Sequence, residues 1–454
     1  MVIQSGKNWL PDAIGFIVIV LMAVGTIFVF SASASVTSDI DWRRFYESPN
    51  LRQIFFFPVA VAILFIASRF DYKKFALTEP LLKSASVCFL VVSIILLALV
   101  LSQRVVPFLH SFIPKVNQHY RWLKIPLGPM TMSFQPSELA KWAVVFFLSG
   151  ACIKYADTLH QFKQRFVPLC GVVGAAVFLI VIEDLGTAAF LSLLAFLILA
   201  LGGAKWKHLL IPVPFILVGF LLILLLYPER MQRITSFLHP AELSGSSNYQ
   251  ASQSLIAVGS GGAFGKGLGK GICKYGHLPE DTTDFIFAII GEELGFAGTT
   301  VVIILFITFV ILAASVVRKC NDPFGKLLAT GIVLAIGLQA VINIGVVTVV
   351  LPTKGIPLPF VSAGGTGMLL AAAAVGVLLN IAKSQPAAWR ATGSAAFCNT
   401  AASQQAGVQQ DVHSQPIVSF YSQGQKIPSA KFPSDVPGSS GVQPNEELEE
   451  QQVQ

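Results

Sequence analysis

The chain has 454 residues, of which 54% are hydrophobic and only 12% charged, with a formal net charge of +7. A soluble domain carries about twice that share of charge, so a water-soluble globule is excluded. The apolar residues are gathered in blocks that approach or exceed the ~20 helical residues needed to cross a bilayer.

The first block, Ala13 to Ser31, follows Lys7 and precedes the small residues Ser31 to Ser35, the outline of a signal peptide. It is longer than a signal's apolar core and many similar blocks follow, so a retained helix over 13–33 is expected. Further spans are expected over 53–68, 82–102, 138–154, 167–183, 187–203, 209–227, 285–316, 327–349 and 363–383. The reading is an all-α polytopic membrane protein of about ten transmembrane helices with large extracytoplasmic loops.

With the amino terminus in the cytoplasm, the inside loops hold Arg69, Lys73 and Lys74, then Lys154, Lys163 and Arg165, then Lys205 and Lys207, then Arg318, Lys319 and Lys326. Every inside loop is then basic, as the positive-inside rule requires, and both termini are expected in the cytoplasm. The outer loops, about 34–52, 103–137 and 228–284, also carry Arg104, Lys115, Arg121, Lys124, Arg230, Arg233, Lys266, Lys270 and Lys274. Such charge suits an anionic partner at the membrane surface, and equally a set of headgroup anchors.

The chain divides into a membrane domain, 1–384, and a tail, 385–454, rich in Gln, Ser, Pro, Ala and Gly. The tail has three basic and six acidic side chains, too few core-formers to fold alone, and is expected to be disordered. Cys88, Cys152 and Cys170 lie in or beside apolar blocks, Cys320 and Cys398 near basic or polar segments, and Cys273 in the long loop. No C-x-x-C pair exists, so neither a disulfide nor a structural zinc is expected.

Polar residues in apolar blocks are candidates for function. Glu138 and Lys141, at i and i+3, open the fourth span behind Pro136 and Ser137, where Ser137 suits an N-cap. Glu183 and Asp184 mark an outer helix end, and Gln339 and Asn343 an amide pair one turn apart, explicable by interhelical hydrogen bonds. The glycine run Ser260 to Gly271, interleaved with Lys266 and Lys270, suits close backbone approach to a ligand, and equally a flexible connector; it has no Walker ending. Asp284 stands just before the eighth span, in which Glu292 and Glu293 must pair or line a cavity. Asp284 reads either as a base in apolar surroundings or, with Thr283, as a helix cap.

The chain resembles the family of shape, elongation, division and sporulation proteins, which includes FtsW, RodA and SpoVE. The resemblance covers about 13–385. It rests on Arg121-Trp122-Leu123, Phe134-Gln135-Pro136-Ser137-Glu138-Leu139-Ala140-Lys141 and Asp184-Leu185-Gly186-Thr187. It continues in Tyr249-Gln250, Gln253 to Ala257, the glycine run, Leu278-Pro279-Glu280, Thr283 to Phe287, and Leu351 to Ser362.

The resemblance implies a glycosyltransferase that polymerises lipid II into peptidoglycan strands on the outer face of the cytoplasmic membrane. A single-span class B penicillin-binding transpeptidase and other division proteins are the implied partners. By this resemblance Lys354 in Pro352-Thr353-Lys354-Gly355 points to the division or sporulation branch, of which division is favoured, with an elongation role as the alternative. Asp284 is the implied catalytic base. Arg121, Lys124, Arg230, Arg233 and Lys274 are expected to supply the pyrophosphate-binding groups, and Trp122, Glu138, Lys141, Gln250, Gln253, Glu280, Lys354 and Ser362 to contact substrate. No dedicated cofactor and no nucleic-acid partner are expected; a divalent cation loosely held at the pyrophosphate is compatible with the chemistry. A lipid II flippase and a scaffold for the transpeptidase are the competing functions.

Overall fold

The computed structural model describes residues 9–33, 49–103, 112–116, 119–127, 130–238 and 246–385. The tail expected to be disordered, beyond Gln385, and Arg104 in the second outer loop lie outside the described residues.

The spans form in the order expected. They are α1 (Trp9–Ser33), α2 (Pro49–Ala67), α3 (Ala85–Ser102), α4 (Pro136–Lys154), α5 (Val167–Val181) and α6 (Leu185–Leu201). A seventh consists of α7 (Trp206–Leu210) and α8 (Pro212–Leu226), then come α11 (Ile286–Lys319), α12 (Pro323–Val347) and α13 (Thr366–Lys383). Eight of these segments are long and apolar enough to cross a membrane, and Arg52–Ala67 and Leu185–Leu201 are shorter apolar helices. Between α3 and α4 lie two hairpins, β1 (Lys115–Val116) with β2 (His119–Tyr120) and β3 (Leu123–Leu127) with β4 (Met130–Phe134), the second pairing Leu123 with Phe134. The long segment before α11 holds α9 (Pro228–Leu238) and α10 (Ser246–Ser260).

The central helix is α4, 89% buried over its span, against 11% for the α7–α8 segment. Small residues explain the difference. Ala140, Ala143, Ser149 and Ala151 let neighbours close on α4, and Gly331 of α12 faces Val145 where a Cβ would stand only 2.8 Å away. By contrast α8 turns Phe215, Leu217, Leu225 and Leu226 outward, the surface a lipid-facing helix presents. The α4 cap differs from expectation. Gln135 is the cap residue and Pro136 the first helical one, because proline needs no N–H partner there, while the Ser137 hydroxyl accepts from Gln135 Nε2 at 2.9 Å.

The eighth span is not one uninterrupted helix. Gly295 interrupts α11 with φ 67°, a left-handed conformation that glycine adopts without steric penalty. The interruption frees backbone groups that the glycine run satisfies. Lys266 N donates to Glu292 O at 3.0 Å, Gly267 N to Glu293 O at 2.9 Å, and Phe296 N to Gly262 O at 2.8 Å. A side chain on Gly261 would overlap the Gly291 carbonyl oxygen. These glycines therefore serve a backbone seam, and the N–H groups of Lys266 and Gly267 are spent within the protein rather than on a ligand.

Glu292 and Glu293, both fully buried, are paired as required. Lys266 Nζ reaches Glu292 Oε1 at 2.7 Å, and Lys274 Nζ reaches Glu293 Oε1 at 2.9 Å and Ser31 Oγ of α1 at 3.2 Å. The seam is thus pinned to α1 and α11 together.

Candidate active site

A cavity of about 370 Å³ opens where α4, α6 and α12 meet the segments flanking α11 and α13. Its lining includes Asp284, Glu280, Lys354 and Ser362 from those segments, Arg121 and Trp122 from the connection between the hairpins, Glu138 and Lys141 from α4, Arg233 from α9 and Gln250 from α10. Residues spread over most of the chain are thus brought to one chamber.

Asp284 stands two residues before α11, whose cap is Phe285 with no side-chain cap bond. Thr283 directs its hydroxyl to Glu280 Oε2 at 2.9 Å. Neither residue caps the helix, so the structural alternative for Asp284 does not hold. Its backbone is held firmly, the Asp284 carbonyl accepting from Asn343 Nδ2 at 2.8 Å. Burial, with Glu280 and Asp184 nearby, pushes its carboxyl up to about 7. Asp281 is also raised by burial, to about 6, yet it does not line the cavity.

The same lining carries cations. Lys354 lies across Gly186, where a Cβ would meet its Cδ at 3.1 Å, and burial lowers its ammonium to about 8. Asp184 caps α6 through Thr187 N at 3.0 Å and Thr187 Oγ1 at 2.9 Å, and faces Arg121 Nη1 at 3.5 Å. Arg121 Nε also donates to Glu183 O at 3.0 Å, which orients its guanidinium toward the chamber. A second recess of about 150 Å³ adjoins the first and shares Arg121, Arg233 and Lys354 with it. Its other wall is apolar, formed by Phe220 and Leu224 of α8 and Ile234 of α9. Cations beside a lipid-facing helix suit a ligand that is anionic at one end and hydrocarbon at the other.

Deeper in the bundle, Lys141 Nζ binds Glu138 Oε2 at 2.6 Å and Gln339 Oε1 at 2.8 Å, and Gln339 Nε2 donates to Pro357 O at 2.8 Å. Lys141 is buried and its charge is met inside the protein.

Four expected residues lie elsewhere. Lys274 is buried against Glu293 at the seam. Lys124 is exposed on β3, and Gln253 is half-buried on α10 outside the chamber wall. Arg230 borders the second recess only, and its fork is taken by the last carbonyls of α5, Val181 O at 3.1 Å and Ile182 O at 2.8 Å. Ser362 lines the chamber, but its hydroxyl is engaged twice, donating to Thr283 O at 2.6 Å and accepting from Leu358 N at 2.7 Å. Sequence reasoning missed Asp184 as the partner of Arg121 and Gly355 as the neighbour of Asp284. Among the described residues no group of three or more His, Cys, Asp or Glu side chains could hold a metal ion.

A family model described as "Cell cycle protein", for FtsW, RodA and SpoVE, matches residues 12–386. Stage V sporulation protein E of Bacillus subtilis (strain 168) is 36% identical over 382 residues, covering 84% of this chain and 99% of that protein. A probable peptidoglycan glycosyltransferase FtsW of Taylorella equigenitalis (strain MCE9) is 37% identical over 374 residues, covering 79% and 94%. Among solved structures, one from work on polymerization and crosslinking by a peptidoglycan synthase complex superposes with TM-score 0.62 at 21% identity, covering 82% of this chain and 97% of that one. The rod shape determining protein RodA of Thermus thermophilus gives TM-score 0.55 at 22% identity, covering 84% and 98%. Both share the fold.

Proposed function

We infer the function from two facts together: the chain belongs to the cell cycle protein family of FtsW, RodA and SpoVE, and it gathers a carboxylate and cations in one chamber. It is a multi-pass membrane protein and a peptidoglycan glycosyltransferase, as relatives at 33–38% identity are named. The observation that carries the reading is Asp284, raised by burial to about 7 and sharing one chamber with Arg121, Arg233 and Lys354.

The proposed substrate is lipid II, a sugar on a polyprenyl pyrophosphate. A 4-hydroxyl of one sugar attacks the anomeric carbon of another. The new C–O bond forms as the bond to the pyrophosphate breaks, and the pyrophosphate leaves with the electron pair. Asp284 takes the hydroxyl proton as it attacks. Arg121, Arg233 and Lys354 meet the negative charge that develops on the leaving group. Lys274 drops out of this set because Glu293 takes its charge, and Arg230 acts by holding the end of α5. A divalent cation, if one takes part, would arrive on the pyrophosphate.

The active face is proposed to be the outer face of the cytoplasmic membrane, with both termini cytoplasmic and the tail dispensable for the chemistry. A single-span class B penicillin-binding transpeptidase is the proposed partner, and a solved structure of this fold comes from work on a peptidoglycan synthase complex. The cellular role proposed is division, in keeping with the relatives named FtsW. Reconstitution with fluorescent lipid II tests the function. Glycan polymer on a gel is expected; transfer of lipid II across the membrane without polymer would replace the reading with a flippase, and neither would leave a scaffold.

A further inference from the structure

Three consecutive carbonyls lead into α11, and each is taken by a different donor. Thr282 O accepts from Ala363 N at 2.9 Å, Thr283 O from Ser362 Oγ at 2.6 Å, and Asp284 O from Asn343 Nδ2 at 2.8 Å. The second proton of the Asn343 amide goes to Ile356 O, also at 2.8 Å. One amide on α12 therefore bridges the Asp284 segment and the loop that carries Lys354 and Gly355. Both donors are committed, which fixes the amide's orientation. Its Oδ1 is buried and has no hydrogen-bond partner among the described residues. Unsatisfied buried acceptors are uncommon in native proteins, so the position keeps the amide for its two donor bonds at the cost of that oxygen.

We propose that Asn343 is a positioning residue for the transfer reaction, fixing the carboxylate of Asp284 against Gly355 and relative to the Lys354 ammonium. This rests on the reading of Asp284 as the base. The amide is not part of the chamber lining and acts through the two backbones it joins. Gln339, one turn earlier, repeats the device on the next carbonyl, Pro357 O, and passes it to Lys141. The charged groups around Asp284 are Glu280 on its own segment, Asp184 at the start of α6, Arg121 between the hairpins and Arg233 on α9, with Lys354 beside Gly355 on the same chamber lining.

The test is steady-state polymerisation of fluorescent lipid II by the full chain across pH, for Asn343→Leu and Ser362→Ala beside Asp284→Asn. Misplacing a reacting group by about 1 Å costs about 10²-fold in rate, so Asn343→Leu should lower kcat about 10- to 100-fold with KM within about two-fold. Its acid limb should move to lower pH, since a carboxylate released from its niche gains water. Ser362→Ala should move both quantities in the same direction by less. A kcat within about two-fold of the parent, or a loss of kcat with the acid limb in place, overturns the proposal. Should Asn343→Leu fail to fold, Asn343→Ala, which also removes both donor bonds, decides by the same two criteria. Normal activity in Asp284→Asn would refute the base reading instead, so the two failures are distinguishable.

Discussion

The carboxylate of Asp284 lies against Gly355 so closely that a Cβ added there would stand 2.8 Å from Oδ2. That is nearer than Cβ atoms pack, so Gly355→Ala must displace the carboxylate or the loop. Gly355 is exposed to the chamber and needs no special backbone conformation. The substitution should leave folding intact and lower kcat by about 10- to 100-fold, since geometry at the reacting atoms is what changes. Parallel measurement of kcat and thermal melting checks this. An unchanged kcat would mean that the position of the carboxylate is unimportant.

The rate should follow a bell in pH. As the proposed base Asp284 must be ionised to accept a proton, and burial sets its carboxyl at about 7. Below that pH activity should fall about tenfold per unit. As a proposed partner of the pyrophosphate Lys354 must be charged, and burial sets its ammonium at about 8. Above that pH activity should fall again. Lys354→Arg should retain its charge throughout and remove the basic limb while leaving the acid limb in place. A profile of kcat/KM for both proteins tests the assignment; a basic limb that survives in the arginine variant contradicts it.

Lys274 should matter for folding rather than for substrate. Its side chain is 1% exposed and its partner Glu293 is wholly buried. Breaking a buried pair on one side typically costs about 3–5 kcal/mol because the remaining charge is left uncompensated. Lys274→Met should therefore cut folded yield and melting temperature, and adding Glu293→Gln should restore much of both. KM for lipid II in whatever folds should stay within about two-fold. A raised KM with normal stability would return Lys274 to the anion site.

The apolar helices were legible because long apolar runs have one solution in a bilayer. The place of Asp284, before an apolar helix and on the chamber lining, was legible through its motif. Lys274 was misread because the carboxylate that neutralises it lies on the far side of a turn, in α11, and charge pairing is fixed by the fold. The glycine run was misread for a similar reason. Its partners are carbonyls released by the break at Gly295, and no pattern of side chains marks that break. Asn343 was placed correctly on one face with Gln339, but its partners are loop carbonyls, which leave no trace in sequence periodicity.

The central claim is that Asp284 is the base of a glycan polymerase. Asp284→Asn preserves size and polarity, and the backbone bonds from Asn343, Ser362 and Ala363 do not depend on the side chain. The purified variant should fold and melt like the parent. Loss of a general base costs about 10²–10⁴ in rate, so polymer formation from fluorescent lipid II should fall by that factor at the parent's optimum pH, and the acid limb should disappear. A folded Asp284→Asn protein that polymerises lipid II at near the parental rate would contradict the account.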